Sequence, residues 1–187
     1  MRTRASSITV LSLSLLVGGA GCSNGSTPPP SDGGSSGACM MGSALTEPIP
    51  GCMPVTAAST GDPHQDCVNR INQFRCECQH LPPLARWTDG EACADQMAQY
   101  DHDHPGSPHQ AFRDGICTGG NAQNECPGWP SVPATVDGCL QQMWDEGPGT
   151  DFNAHGHYIN MTNSRYTMVA CGFYSGSGGV YAVQNFR

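Results

Sequence analysis

The spacing of apolar residues changes along the chain, and each spacing predicts an element. Ile8 to Val17 form a short apolar run behind Arg2 and Arg4 and ahead of Gly18-Gly19-Ala20-Gly21. That layout is an export signal, and the run is too short to cross a bilayer, which takes roughly 20 residues. From Ser23 to about Gly61 no period survives: Ser, Gly, Thr and Pro dominate, including Pro28-Pro29-Pro30, which predicts a tether with little apolar surface to bury. Helical spacing begins with Cys67, Ile71 and Phe74 and predicts a helix from about Asp66, its N-cap, to Phe74 or Cys78. Leu81-Pro82-Pro83-Leu84 breaks it. Ala92, Cys93, Met97 and Tyr100 form the apolar face of a second helix, opened by a capping box of Thr88 and Glu91. Val136, Cys139, Leu140 and Met143 mark a third, running to about Glu146 and stopped by Gly147-Pro148-Gly149. Two aromatic and β-branched runs, Tyr166 to Tyr174 and Val180 to Phe186, flank a Ser/Gly turn, which predicts a terminal antiparallel hairpin.

Helices followed by a hairpin imply a mixed α/β layer fold. The 187 residues divide into a leader over 1–21, a tether over 22–61 and one domain over 62–187, near the usual single-domain size. The small residues before Cys22 resemble a bacterial lipoprotein signal, in which Cys22 is acylated and anchors the chain to a membrane. Cys22 aside, Cys39, Cys52, Cys67, Cys76, Cys78, Cys93, Cys117, Cys126, Cys139 and Cys171 remain. An even number in an exported chain predicts up to five disulfides, with a connectivity that sequence does not give. A local Cys39–Cys52 bridge would close a small loop in the tether. No Cys-x-x-Cys pair is present, so thiolate metal binding is disfavoured.

Charge removes whole classes of function. The formal net charge is −8 and no lysine occurs. Nucleic-acid binding lacks the basic patch it needs, and lysine Schiff-base chemistry is excluded. The acids fall at interesting places instead. Asp145 and Glu146 end the third helix, where the dipole disfavours negative charge by about 0.3–1 kcal/mol each. Asn124-Glu125-Cys126 supplies another carboxylate. Imidazoles come from His102, His104 and His109, and from His155 and His157 in a segment read as a loop. Two imidazoles and two carboxylates in one cleft suit a divalent ion, zinc first, with open positions for water.

In chain order, these pieces resemble the CAP superfamily of cysteine-rich secretory, antigen-5 and pathogenesis-related proteins. Val68 to Arg75 is similar to its opening helix, and Leu81-Pro82-Pro83-Leu84-Ala85-Arg86-Trp87 to its "LPPLxW" segment. Asn124-Glu125 stands in place of its Gly-Glu-Asn, Met143-Trp144-Asp145-Glu146 resembles its "WxxE", and Gly156-His157-Tyr158 its "GHYTQ", with Ile159-Asn160 in place of Thr-Gln. The resemblance implies a three-layer α-β-α sandwich with a His/Glu tetrad. Position by position the tetrad is His109, Glu125, Glu146 and His157, with His109 chosen over His102 and His104, and with His109 and His157 as metal ligands. Cys126 after Glu125 predicts a disulfide pinning that loop.

The resemblance implies no single chemistry: relatives have been linked to sterol or lipid binding, signalling and proteolysis. No Gly-x-Ser-x-Gly or His-Glu-x-x-His motif occurs. The expectation is an exported, tethered binding protein whose cleft takes a divalent metal and a small or lipidic ligand. A metal-dependent peptidase with Glu125 or Glu146 as general base is the competitor, and a disulfide-braced interaction module with a vestigial cleft is a third reading.

Overall fold

A computed structural model describes residues 42–187; the leader, Cys22 and Cys39 lie outside the described residues. Helix α1 (Pro63–Gln73) starts at Asp62, whose carboxylate accepts from the N–H groups of His64 and Gln65, so the N-cap lies four residues before the expected Asp66. Asp66 instead accepts from Ser59 Oγ at 2.5 Å and Thr60 N at 2.8 Å, holding down the preceding loop. The helix continues as a π-helical turn, Phe74–Cys78.

After the short strand β1 (Ala85–Arg86) comes α2 (Thr88–Asp103). The expected capping box does not form. Trp87 is the N-cap and makes no side-chain cap bond, because Glu91 pairs with Arg86 instead, with Nε donating to Oε1 at 2.5 Å and Nη2 to Oε2 at 3.0 Å. A charge-assisted bidentate pair outweighs one neutral cap bond. A short helix α3 (Gln110–Asp114) and strand β2 (Ala122–Trp129) follow. The predicted third helix runs as α4 (Val132–Ala134), a π turn (Thr135–Cys139) and α5 (Leu140–Asp145), and Gly147 stops it at φ +65°. The segment read as a loop around His155 and His157 is helix α6 (Phe152–Thr162), capped by Asp151. Strands β3 (Met168–Gly176) and β4 (Gly179–Phe186) make the expected hairpin, with a tighter turn than the glycine run suggested because Gly176 pairs with Gly179.

The four strands lie in the order β1-β3-β4-β2, antiparallel except for β1 against β3. Alternate residues feed two cores. On one face Val169, Cys171 and Phe186 pack with Ile71 and Phe74 of the first helix, Leu140 and Trp144 of α5, and Tyr158 and Met161 of α6. On the other, Ala170 and Val183 pack with Ala94, Met97 and Ala98 of α2 and Ala111 of α3. The molecule is therefore the expected α-β-α sandwich. The α2 face is built from small residues, so the helix lies close: a Cβ at Gly172 would strike the backbone of Ala94 and Asp95.

Four disulfides brace these layers: Cys52–Cys78, Cys67–Cys171, Cys93–Cys117 and Cys126–Cys139. Cys76 is disulfide-bonded as well. The Cys39–Cys52 bridge does not form, because Cys52 is bonded to Cys78. The stretch from Leu45 to Thr60, expected as tether, is hydrogen-bonded to the domain at several points. Leu45 and Ile49 N–H groups donate to the carbonyls of Gln79 and Cys78, and the carbonyls of Pro54 and Val55 accept from Arg70 and Gln73. No helix among the described residues is long and apolar enough to cross a membrane.

Candidate functional site

Strand β2 is a sheet edge, and its alternation serves both layers. Gln123 and Glu125 project toward α2 and α3; Asn124 projects toward α6. The first half of the site is the turn before α3. There His109 adopts the left-handed conformation at φ 59° and ψ 22°, an uncommon backbone for a residue with a Cβ. Two partners on β2 hold it. The His109 backbone N–H donates to Glu125 Oε2 at 2.7 Å, and the ring Nδ1 lies 2.9 Å from Gln123 Oε1. Asp101, at the end of α2, accepts from Ala111 N at 2.9 Å and steadies the start of α3.

The second half is α5 against α6. Glu146 follows α5, and its Oε2 accepts from His157 N at 2.9 Å and Tyr158 N at 3.4 Å, while its Oε1 bonds His157 Nδ1. A carboxylate in the last turn of one helix is thus bonded to backbone N–H groups in the middle of another. Asn124 Nδ2 donates to His157 O at 3.2 Å, and Asn160 Nδ2 to Asn124 Oδ1 at 2.9 Å and Gln123 O at 3.3 Å, so β2 also ties the two halves together.

Burial governs the electrostatics of the first half of the site. Burial pushes the Glu125 carboxyl up to about 7, opposed by the His109 N–H bond and reinforced by the charge of Asp101. Asp101 is itself raised by burial, and its Oδ2 has no hydrogen-bond partner among the described residues. Burial holds His109 below the ordinary imidazole value; the Gln123 bond opposes this, and the charge of His157 adds to it. The His109 and His157 side chains are 32 % and 33 % exposed, and neither Nε2 has a protein hydrogen bond among the described residues.

His109 is the imidazole beside Glu125. His102 instead lies against Tyr174 and Tyr181 and bonds Ser177 O, and His104 stacks on Tyr100. His155 Nδ1 donates to Glu146 O at 2.7 Å and closes the end of α5. Sequence reading named the four tetrad positions but missed Gln123, Asn124, Asn160 and Asp101. The signal was present for Gln123, since in a strand it shares a face with Glu125; the segment was read as a loop.

The donor set fits a divalent ion in part. Both rings direct Nδ1 to a protein oxygen and leave Nε2 for a ligand, the arrangement that outer partners impose on metal-binding histidines. The carboxylates are occupied by backbone N–H groups, and among the described residues no group of three or more His, Cys, Asp or Glu is arranged to hold a metal. An ion here would have two protein ligands, with water completing the shell.

A separate cavity of about 530 Å³ lies between residues 56–61, α1 and α4, lined by Thr56, Ala58, Arg70, Pro133, Ala134 and Val136 among others. Its size is that of a small-molecule site. Thr56 Oγ1 donates to the carboxylate of Asp137, another lining residue.

The family model for CAP, the cysteine-rich secretory protein family, matches residues 68–186. No curated protein matches the chain. The match runs from within the first helix to the end of the last strand and includes His109, Glu125, Glu146 and His157: the chain belongs to the CAP family.

Proposed function

We propose that this protein is an exported CAP-domain binding protein, held at a membrane by acylated Cys22, whose His109 and His157 bind a divalent metal through Nε2. The observation that carries the reading is the matched state of the two rings: each Nδ1 is engaged by a protein oxygen and each Nε2 has no hydrogen-bond partner among the described residues. Zinc is the natural first ion for nitrogen donors. His109 and His157 would hold it, Glu125 and Glu146 would fix the ligand-bearing backbone, and the metal would supply Lewis acidity and open positions. Calorimetric titration of zinc into the oxidised chain at neutral pH tests this: wild type binds, and His109→Ala and His157→Ala each lose binding. Equal binding by all three proteins contradicts it.

The cavity beside residues 56–61 is a better candidate than the tetrad for the lipidic part of the reading, because Ala57, Ala58, Val132, Pro133, Ala134 and Val136 give it an apolar wall, with Asp66, Asn69, Arg70 and Asp137 as its polar side. A small apolar or lipidic ligand would sit there, independent of the metal. Filling it with Ala134→Phe abolishes uptake of an apolar fluorescent probe and leaves zinc binding intact; probe uptake unchanged by Ala134→Phe would contradict this placement.

One observation favours hydrolysis as a second reading. A carboxyl poised near 7 is tuned for general-base work at neutral pH. Under that reading the zinc-loaded chain cleaves peptides and Glu125→Gln abolishes turnover with zinc still bound; under the binding reading there is no turnover to abolish.

A further inference from the structure

The two histidines of the site are not held alike. Glu146 reaches both the ring and the backbone of His157. Glu125 reaches only the backbone of His109, and its Oε2 lies 3.8 Å from the ring Nδ1, beyond hydrogen-bonding distance. The group that does reach the ring is the neutral amide of Gln123, at 2.9 Å.

The orientation of that amide is fixed behind it. Gln123 Nε2 donates to Asn185 Oδ1 at 3.0 Å and to Met97 Sδ at 3.3 Å, and Asn185 Nδ2 donates to the same sulfur at 3.4 Å. A thioether only accepts, so both amides must turn nitrogen toward Met97. Gln123 then has only its carbonyl oxygen to offer His109. All three residues are buried, Met97 and Asn185 completely, where a mismatched hydrogen bond costs roughly 1–3 kcal/mol. An acceptor oxygen at Nδ1 demands a proton there in the neutral ring.

We propose that Gln123 is the positioning residue that locks neutral His109 in the Nδ1–H tautomer and presents its Nε2 lone pair, with Met97 and Asn185 setting the amide. The consequence for metal binding rests on the reading of His109 as a ligand; the tautomer does not. In a metal-binding site this lock removes the need to shift the proton before coordination, the role that outer-shell acceptors play for ligand histidines.

Long-range nitrogen–proton NMR on the full oxidised chain, chelator-treated and at a pH where the ring is neutral, reads the tautomer directly. Wild-type His109 shows a protonated Nδ1 and an unprotonated Nε2. Gln123→Met removes the acceptor at similar volume, and the ring reverts mostly to Nε2–H, the form favoured in free histidine; Gln123→Glu, an acceptor only, restores Nδ1–H. Wild type carrying its proton on Nε2 overturns the proposal without any variant having to fold, and so does Gln123→Met with an unchanged tautomer. A zinc titration separates the two claims: Gln123→Met weakens zinc binding about 10-fold or more, whereas wild type that shows the Nδ1–H tautomer but binds no zinc sinks the metal reading alone.

Discussion

Glu125 and Glu146 are the same residue type bonded to the same kind of N–H group, yet burial separates their roles. Glu125 is 6 % exposed, and its carboxyl is raised from 4.5 to about 7 chiefly by desolvation. A raised folded value means that this group's stabilising contribution is complete below the unfolded value of 4.5 and is lost as pH climbs through about 7. The loss is on the order of 3 kcal/mol. His109 acts in the opposite sense: its depressed value contributes above the unfolded 6.5 and is lost as pH falls through the folded value. Comparing metal-free wild type with Glu125→Gln isolates the carboxyl. Between pH 4.5 and 8, denaturant unfolding finds the variant gaining about 3 kcal/mol relative to wild type; a constant difference contradicts the buried-acid account. At this scale the family resemblance singled out His109, Glu125, Glu146 and His157, and the structure pairs His109 with Glu125 and Glu146 with His157. The resemblance gave no view of Asp101 or Gln123, whose significance comes from what they touch across the fold.

Elements were legible wherever one period dominated. The helical spacing at α1, α2 and the 136–146 segment and the alternation of the hairpin all appear in the structure. β2 escaped notice because a strand whose two faces carry Gln123, Asn124 and Glu125 shows no apolar alternation: its buried positions are polar except for Cys126. Helix α6 escaped for a related reason, since Asn153, His155, His157 and Asn160 dilute its apolar face. Both failures fall on the site, where function takes precedence over patterning. Close layer packing makes its own prediction. Gly172→Ala forces a methyl group into the α2 backbone and costs about 1–3 kcal/mol in denaturant unfolding; no loss would mean that α2 can yield. Gln184 offers the converse. Its buried Oε1 has no partner among the described residues, so Gln184→Met leaves stability within about 1 kcal/mol of wild type or raises it, and a larger loss would reveal a bond that the side chain does make.

For the whole molecule, disulfides complement the small cores. All nine cysteines among the described residues are bonded, consistent with a CAP-family chain that folds in an oxidising compartment. That the cysteines pair was legible from the even count; which ones pair was not, because Cys52 finds Cys78 rather than Cys39 only once residues 45–55 are laid along the first helix. Cys67–Cys171 joins α1 to β3 across 104 residues. A loop of that length contributes about 4.7 kcal/mol in the chain-entropy description. The double variant Cys67→Ala, Cys171→Ala therefore melts on the order of 10 °C lower, whereas a shift of a degree or two would mean that packing alone holds the two layers in register.

The most direct test of the central claim is anomalous diffraction at the zinc edge from crystals of the oxidised chain soaked in zinc. The account predicts one strong peak within about 2.0–2.1 Å of Nε2 on both His109 and His157, with both Nδ1 atoms still bonded to Gln123 and Glu146. No peak at the pair, or a peak bound through Nδ1 or at other residues, contradicts it.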